Sequence, residues 1–121
     1  MAQTAEDRYN EARAFVQNKQ WGAAEDSYRE ATRLRAAFPE AWNGLGYALR
    51  HQKKYEASVR AYEEALRQRP NYAEALEYLG EAYVQMGKLD EARAVLERLR
   101  PLDPKEAETL DQAISSATTR R

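Results

Sequence analysis

The chain contains no cysteine and a single histidine, His51. The first absence excludes disulfides and thiolate metal sites, and the second leaves no histidine cluster to replace them. Glycine (5) and proline (4) are scarce among 121 residues, so helices can run with few internal breaks. No apolar run approaches the roughly 20 residues that a membrane span needs. The N-terminal MAQTAEDRYN lacks the basic and apolar segments of an export signal. A cytoplasmic location is therefore the default expectation. A chain whose export signal had been removed would read the same, so an exported or periplasmic location stays open. Neither sign of charge is in excess: 19 Lys and Arg stand against 20 Asp and Glu, for a net charge of −1. Nucleic-acid binders normally carry a basic footprint, so no nucleic acid is expected as a partner. Phosphate-cradling loops, metal-ligand spacings and Ser/His/Asp arrangements are also missing, so no catalytic residue, metal or cofactor is expected.

What the chain does have is a repeat. Shifting the frame by 34 residues takes Leu45-Gly46 to Leu79-Gly80, Tyr62 to Leu96, Ala65 to Leu99 and Pro70 to Pro104. Shifting it the other way takes Tyr55, Ser58, Tyr62 and Ala65 to Trp21, Ala24, Tyr28 and Ala31. A fixed period of this size marks a stacked helical array. Helical spacing of apolar residues predicts a first helix from Ala5 to about Gln17 and a second from Trp21 to about Ala37, the latter burying Trp21, Ala24, Tyr28, Ala31 and Leu34. Pro39 sits at a first helical position, where its missing N–H costs nothing, and opens the third helix. The fourth runs from about Tyr55 to Arg69. Asn71, three residues before Glu74, predicts an N-cap for the fifth, which stops at Gly87. The sixth begins near Asp90 and ends before Pro101. Asp103-Pro104-Lys105-Glu106 then combines a cap, a first-turn proline and a capping-box glutamate ahead of a seventh helix carrying Leu110 and Ile114.

These positions resemble the tetratricopeptide repeat (TPR) family, whose W-x2-L-G-x2-Y…A-x3-F…A…P pattern is matched twice. The middle repeat supplies Trp42, Leu45, Gly46, Tyr62, Ala65 and Pro70, with Ser58 for the usual alanine. The third supplies Leu79, Gly80, Tyr83, Ala92 and Pro104. The resemblance implies an all-α, right-handed superhelical solenoid of antiparallel helix pairs, with about seven helices. The expected layout is a lead-in at 1–4, repeats at 5–38, 39–72 and 73–106, a capping helix at 107–118 and a polar tail at 119–121. Arg8 and Glu11 stand where the first repeat should be apolar, consistent with a solvated end unit, while Leu110 and Ile114 would close the other end. Gly46 in mid-helix implies a close helix–helix approach. Glu25/Arg29, Glu56/Arg60 and Glu63/Arg67 are expected as i,i+4 pairs on outer faces.

The family resemblance also implies a non-catalytic protein-interaction module, with a peptide or helical segment held in a concave groove lined by the first helix of each pair. The faces opposite the buried ones supply the candidates: Tyr9, Arg13 and Gln17; Asn43, Tyr47, Arg50 and His51; Glu74, Glu77, Tyr78 and Glu81. Tyrosine and arginine suit an interface because they offer large contact area and directed hydrogen bonds. Set against this, isolated surface charges are usually incidental. His51 fits a helix-end cation or a solvated side chain, Trp21 and Trp42 fit core anchors, and Glu77 fits an ordinary helix-face acid. Some family members clamp a chaperone's C-terminal carboxylate. The matching positions here hold Tyr9, Arg13, Gly44, Glu74 and Tyr78, a set with one cation and one repelling acid, which argues against that ligand. Two alternatives remain: a homo-oligomer formed through the end repeats, motivated by Phe15 and Val16, or a docking subunit of a larger assembly.

Overall fold

The structure, a computed structural model, describes residues 3–119. Among these residues it contains seven α-helices and no strand: α1 (Ala5–Gln17), α2 (Trp21–Leu34), α3 (Pro39–His51), α4 (Tyr55–Gln68), α5 (Ala73–Gln85), α6 (Leu89–Leu99) and α7 (Pro104–Thr119). None is long and apolar enough to cross a membrane. The chain divides into two units, Met1–Pro70 and Asn71–Arg121.

One turn, used three times, makes the helix pairs. Lys19, Lys53 and Gly87 all adopt left-handed backbone, at φ 58°, 62° and 75°. Each donates its N–H to the carbonyl three residues back, and the next residue donates to the carbonyl five residues back. Thus Lys53 bonds to Arg50 at 2.9 Å and Lys54 to Leu49 at 3.0 Å. This doubly bonded helix end satisfies carbonyls that would otherwise be orphaned. Only the third copy carries the glycine that the conformation favours.

In the first unit α1 packs on α2, α2 on α3, α3 on α4, and α1 also meets α3. The contact faces are rich in alanine: Ala12, Ala24, Ala31, Ala41, Ala48 and Ala65 are fully buried. Small side chains let the backbones approach closely, and Tyr28, Leu45, Leu49 and Tyr62 fill the remaining volume. Gly46 makes the expected close approach. A Cβ there would lie 2.7 Å from ring atoms of Tyr62. Ser58, at a position where the family usually has alanine, is fully buried and donates its hydroxyl to the Gly46 carbonyl at 2.7 Å. A buried hydroxyl is tolerated when it is bonded in this way.

Several expected boundaries shift. The second helix stops at Leu34 rather than Ala37, and Leu34 is 42% exposed instead of buried. Pro39 forces the residue before it out of the helical region, so Phe38 leaves the helix at φ −144° and ψ 75° and takes the core place itself. The carbonyl of Ala36, freed by this turn, accepts from Trp42 Nε1 at 2.8 Å and Gln68 Nε2 at 2.9 Å. The fourth helix stops one residue early, at Gln68. Thr4, at the end of the lead-in, caps α1. Thr4 Oγ1 accepts from the Asp7 N–H at 3.1 Å, and Asp7 Oδ2 accepts from the Thr4 N–H at 3.0 Å, a complete capping box. Residues 1–2 and 120–121 of the expected lead-in and tail lie outside the described residues. Arg8 and Glu11 pair with each other at 2.9 Å, and Glu11 also accepts from Ser27 Oγ at 2.7 Å. Arg29 pairs with Glu25 as expected. Arg67 binds Glu64 rather than Glu63, because Gln68 Nε2 holds Glu64 from the other side at 2.8 Å.

The second unit joins α5, α6 and α7. Leu76, Leu79 and Ala82 of α5 meet Ala92, Val95, Leu96 and Leu99 of α6 and Ala107, Leu110 and Ile114 of α7 in its core. Leu110 and Ile114 are buried as expected, and Leu110 lies over Gly80, where a Cβ would come within 2.5 Å of its methyl carbon. Asn71 does not cap α5. The N-cap is Tyr72, with no side-chain bond, at the repeat position that Phe38 holds before α3. Asp103 does cap α7, accepting the Glu106 N–H at 3.2 Å, so this helix begins at Pro104 as the cap and first-turn proline imply, and runs to Thr119. α6 begins at Leu89, one residue before Asp90.

Candidate functional site

The α1 and α3 candidates of the first unit form two aromatic groups. Tyr9, half-buried, lies 5.0 Å from the Phe38 ring and 5.8 Å from the Tyr28 ring. One turn along α1, the exposed guanidinium of Arg13 stands 5.8 Å over Tyr9. Phe38, held at the start of α3 by the Pro39 turn, carries Arg35 on its face at 4.1 Å. Phe38 is not among the residues expected at the site; its signal in the sequence is an aromatic residue at the same repeat position as Tyr72.

The second group lies at the C-terminal end of α3. His51 stacks flat on Trp21, the first residue of α2, with ring centroids 4.0 Å apart and planes 8° apart. Tyr47, one turn back, is 4.6 Å from His51 and meets the edge of Trp21 at 5.9 Å. Arg50 covers Tyr47 at 5.3 Å. Trp21 is thus half-buried and part of this cluster, not the core anchor expected of it. Gln52 fixes the junction by donating to Glu25 at 3.0 Å and to the Ala48 carbonyl at 3.1 Å. Burial holds the His51 pKa below its usual value, and the positive charges of Arg50 and Lys19 lower it further. These surroundings favour the neutral imidazole, and its stack on Trp21 makes the exposed ring an aromatic surface at the end of α3.

Asn43 of α3 is 4% exposed, whereas Gln17 is exposed at the end of α1. Gly44 has its Cβ position filled by the Tyr28 ring.

The remaining candidates lie on α5 in the second unit. Glu74 is exposed, and Glu77, Tyr78 and Glu81 are half-buried. Glu77 does not behave as an ordinary surface acid. It meets Glu106, expected as the capping-box glutamate of α7, and its pKa is pushed up to about 7. Burial is the largest cause, followed by the hydrogen bond and charge of Glu106 and then the charges of Glu81 and Glu74.

Two family models, both described as Tetratricopeptide repeat, match residues 9–71 and 49–114, each more than half of the chain. The chain belongs to the tetratricopeptide repeat family. No curated protein matches this TPR sequence. Among solved structures, it is similar to the first TPR of Spaghetti (RPAP3) bound to the HSP90 peptide SRMEEVD. The identity is 22% and the TM-score 0.89, covering 98% of this chain and 96% of that one. It is also similar to the TPR2B-domain:pHsp70 complex of yeast Sti1, at 19% identity and TM-score 0.88, covering 97% and 98%. A third likeness is to the Yersinia enterocolitica type III secretion chaperone SycD in complex with a peptide of the translocator YopD. There the identity is 16% and the TM-score 0.85, covering 95% and 92%. These likenesses show the fold: all-α, built from TPR helix pairs, as the repeat implied.

Proposed function

We propose that this TPR protein is a non-catalytic interaction module that binds a peptide or helical segment of a partner protein. Contacts would come from Tyr9, Arg13, Gln17, Asn43, Tyr47, Arg50 and His51 in the first unit and Glu74, Glu77, Tyr78 and Glu81 in the second. The observation that carries this proposal is the pairing of cation and ring on both α1 and α3, Arg13 over Tyr9 and Arg50 over Tyr47. Each pair offers a flat apolar surface with a fixed donor beside it, the chemistry enriched where binding energy concentrates. The similar structures named above hold peptides, which is consistent with this use of the fold. A chaperone's carboxylate tail fits the residues poorly. Gly44 presents no donor side chain, and Glu74 opposes a carboxylate. The test is partner capture from the source cell by the wild-type chain and by an Arg13→Ala/Tyr47→Ala double variant of unchanged helicity. Loss of the captured partner supports the site; undiminished capture moves it elsewhere.

Self-association is the second reading. Phe15 and Val16 of α1 pack only partly against the core, leaving apolar area that a second copy could cover. Sedimentation across a wide concentration range decides this, and a strict monomer removes it.

A further inference from the structure

A repeat fold is held together by what recurs, so a cluster of side chains that occurs once is where an individual role can lie. The first unit has such a cluster where the start of α2 meets the end of α3. Trp21, Glu25, His51 and Gln52 come together there, and one period later the same positions hold Tyr55, Val59, Gln85 and Met86. The repeat does not require these four side chains.

Glu25 is the centre of the cluster. Its side chain is 12% exposed. Oε1 accepts from Gln52 Nε2 at 3.0 Å and from Lys54 Nζ at 3.1 Å, and Oε2 accepts from Arg29 Nε at 2.9 Å. Burial acts to raise its pKa, but the hydrogen bonds from Arg29, Lys54 and Gln52 outweigh it and hold the carboxyl below its ordinary 4.5. Glu25 is therefore a charged acceptor at neutral pH, and its bond to Gln52 is charge-assisted.

Gln52 follows His51 directly and closes α3. The amide nitrogen that bonds Glu25 also reaches the Ala48 carbonyl at 3.1 Å and the Trp21 carbonyl, one turn before Glu25, at 3.4 Å. One amide thus ties the end of α3 to the first turn of α2. These are the two segments that carry the stacked rings, whose centroids lie 4.0 Å apart with planes 8° apart. An exposed ring with no such tether is free to change rotamer.

We propose that Glu25 is the positioning residue of the aromatic surface: through Gln52 it holds His51 flat on Trp21, so that the surface stands assembled before a partner arrives. The inference rests on reading this surface as part of the partner site, to which it adds Trp21 and Glu25 of α2. A surface assembled in advance spares the partner the cost of ordering these side chains on binding.

His51 is the only histidine, so its ring protons give NMR signals that need no further assignment, and an indole stacked on the imidazole shifts them upfield. The spectra are recorded on the partner-free chain well above the ordinary imidazole value of 6.5. Glu25→Ala should lose the upfield shift at unchanged helicity. Gln52→Leu, which removes the same bond from the α3 side, should lose it too, and decides the matter if Glu25→Ala does not fold. Glu25→Gln keeps an oxygen for Gln52 and should restore most of the shift. Arg29→Ala removes only the pair along α2 and should leave the signals in place. Three results overturn the proposal: a wild-type signal with no upfield shift, signals unmoved by both Glu25→Ala and Gln52→Leu, or a Glu25→Gln chain that matches Glu25→Ala. No partner enters the measurement, so its failure leaves the binding reading standing, and failure of partner capture leaves this result standing.

Discussion

Replacing Gly46 with alanine sets two effects of known size against each other. Alanine is favoured over glycine inside a helix by about 1 kcal/mol. Its methyl, however, would arrive 2.7 Å from Cδ1 and Cε1 of Tyr62 and 2.9 Å from Cζ. Carbon atoms in contact need roughly 3.5–4.0 Å, so the ring or the helix must move by about an ångström. Neither has room. Tyr62 is fully buried, and the Gly46 carbonyl is tied to Ser58. Overpacking of this kind costs about 1–3 kcal/mol, so the substitution should lower stability by about 1 kcal/mol once the propensity gain is subtracted. Urea unfolding of four proteins tests the origin of the loss: wild type, Gly46→Ala, Tyr62→Leu and the double variant. Tyr62→Leu is costly alone, but it removes the obstructing ring, as Leu96 does at the equivalent position of the third repeat. In its background Gly46→Ala should become neutral or stabilising, giving a coupling of about 1–2 kcal/mol. An alanine that stabilises the wild type, or a penalty unchanged by Tyr62→Leu, would refute the close-contact account.

Lys53→Gly and Lys19→Gly place glycine where the backbone is left-handed; relief of strain less the added chain entropy should stabilise by about 0.5 kcal/mol each, read as a raised urea midpoint. Neutral His51 is favoured by the fold, so its contribution is full above 6.5 and falls as pH drops below that value. Trp21 emission should report the change, because a protonated imidazole quenches an indole stacked on it; a titration unaltered by His51→Gln would count against the stack. Deleting residues 107–121 removes buried Leu110 and Ile114, a loss of at least about 3 kcal/mol at 1.5–3 kcal/mol per buried aliphatic side chain; an unchanged thermal midpoint would end the capping role of α7. Ser58→Ala should cost about 1 kcal/mol or less by urea unfolding, since it deletes a buried donor without stranding another.

The helix pairs were legible because their signals recur every 34 residues, and a period survives local noise. Trp42, Leu45, Gly46, Tyr62 and Ala65 announced the fold through shape and volume alone. Helix ends were less legible. Asn71 has good capping chemistry yet does not cap, because the repeat aligns Tyr72 with Phe38 and starts α5 two residues after Asn71. Leu34 reads as core by spacing, but the Pro39 turn ends the helix and Phe38 displaces it. The site was legible by face but not by partner. His51 could be assigned to the end of α3, but its stacking on Trp21 depends on a residue 30 positions earlier. The Glu77–Glu106 contact likewise joins two helices whose sequences separately suggest a surface acid and a cap.

The ion pairs at the repeat edges keep the period of the array. Glu6 binds Arg35, and 34 residues later Glu40 binds Arg69 at 2.7 Å. The same step leads to Glu74 and position 103, where the arginine has become Asp103 and caps α7 instead. Exposed pairs of this kind contribute little energy, so their information lies in position. An arginine there reaches back to the first turn of the helix that opens its own repeat, whereas the aspartate turns forward to the N-terminus of α7. One position thus serves as a backward tie or a forward cap according to the sign of its charge.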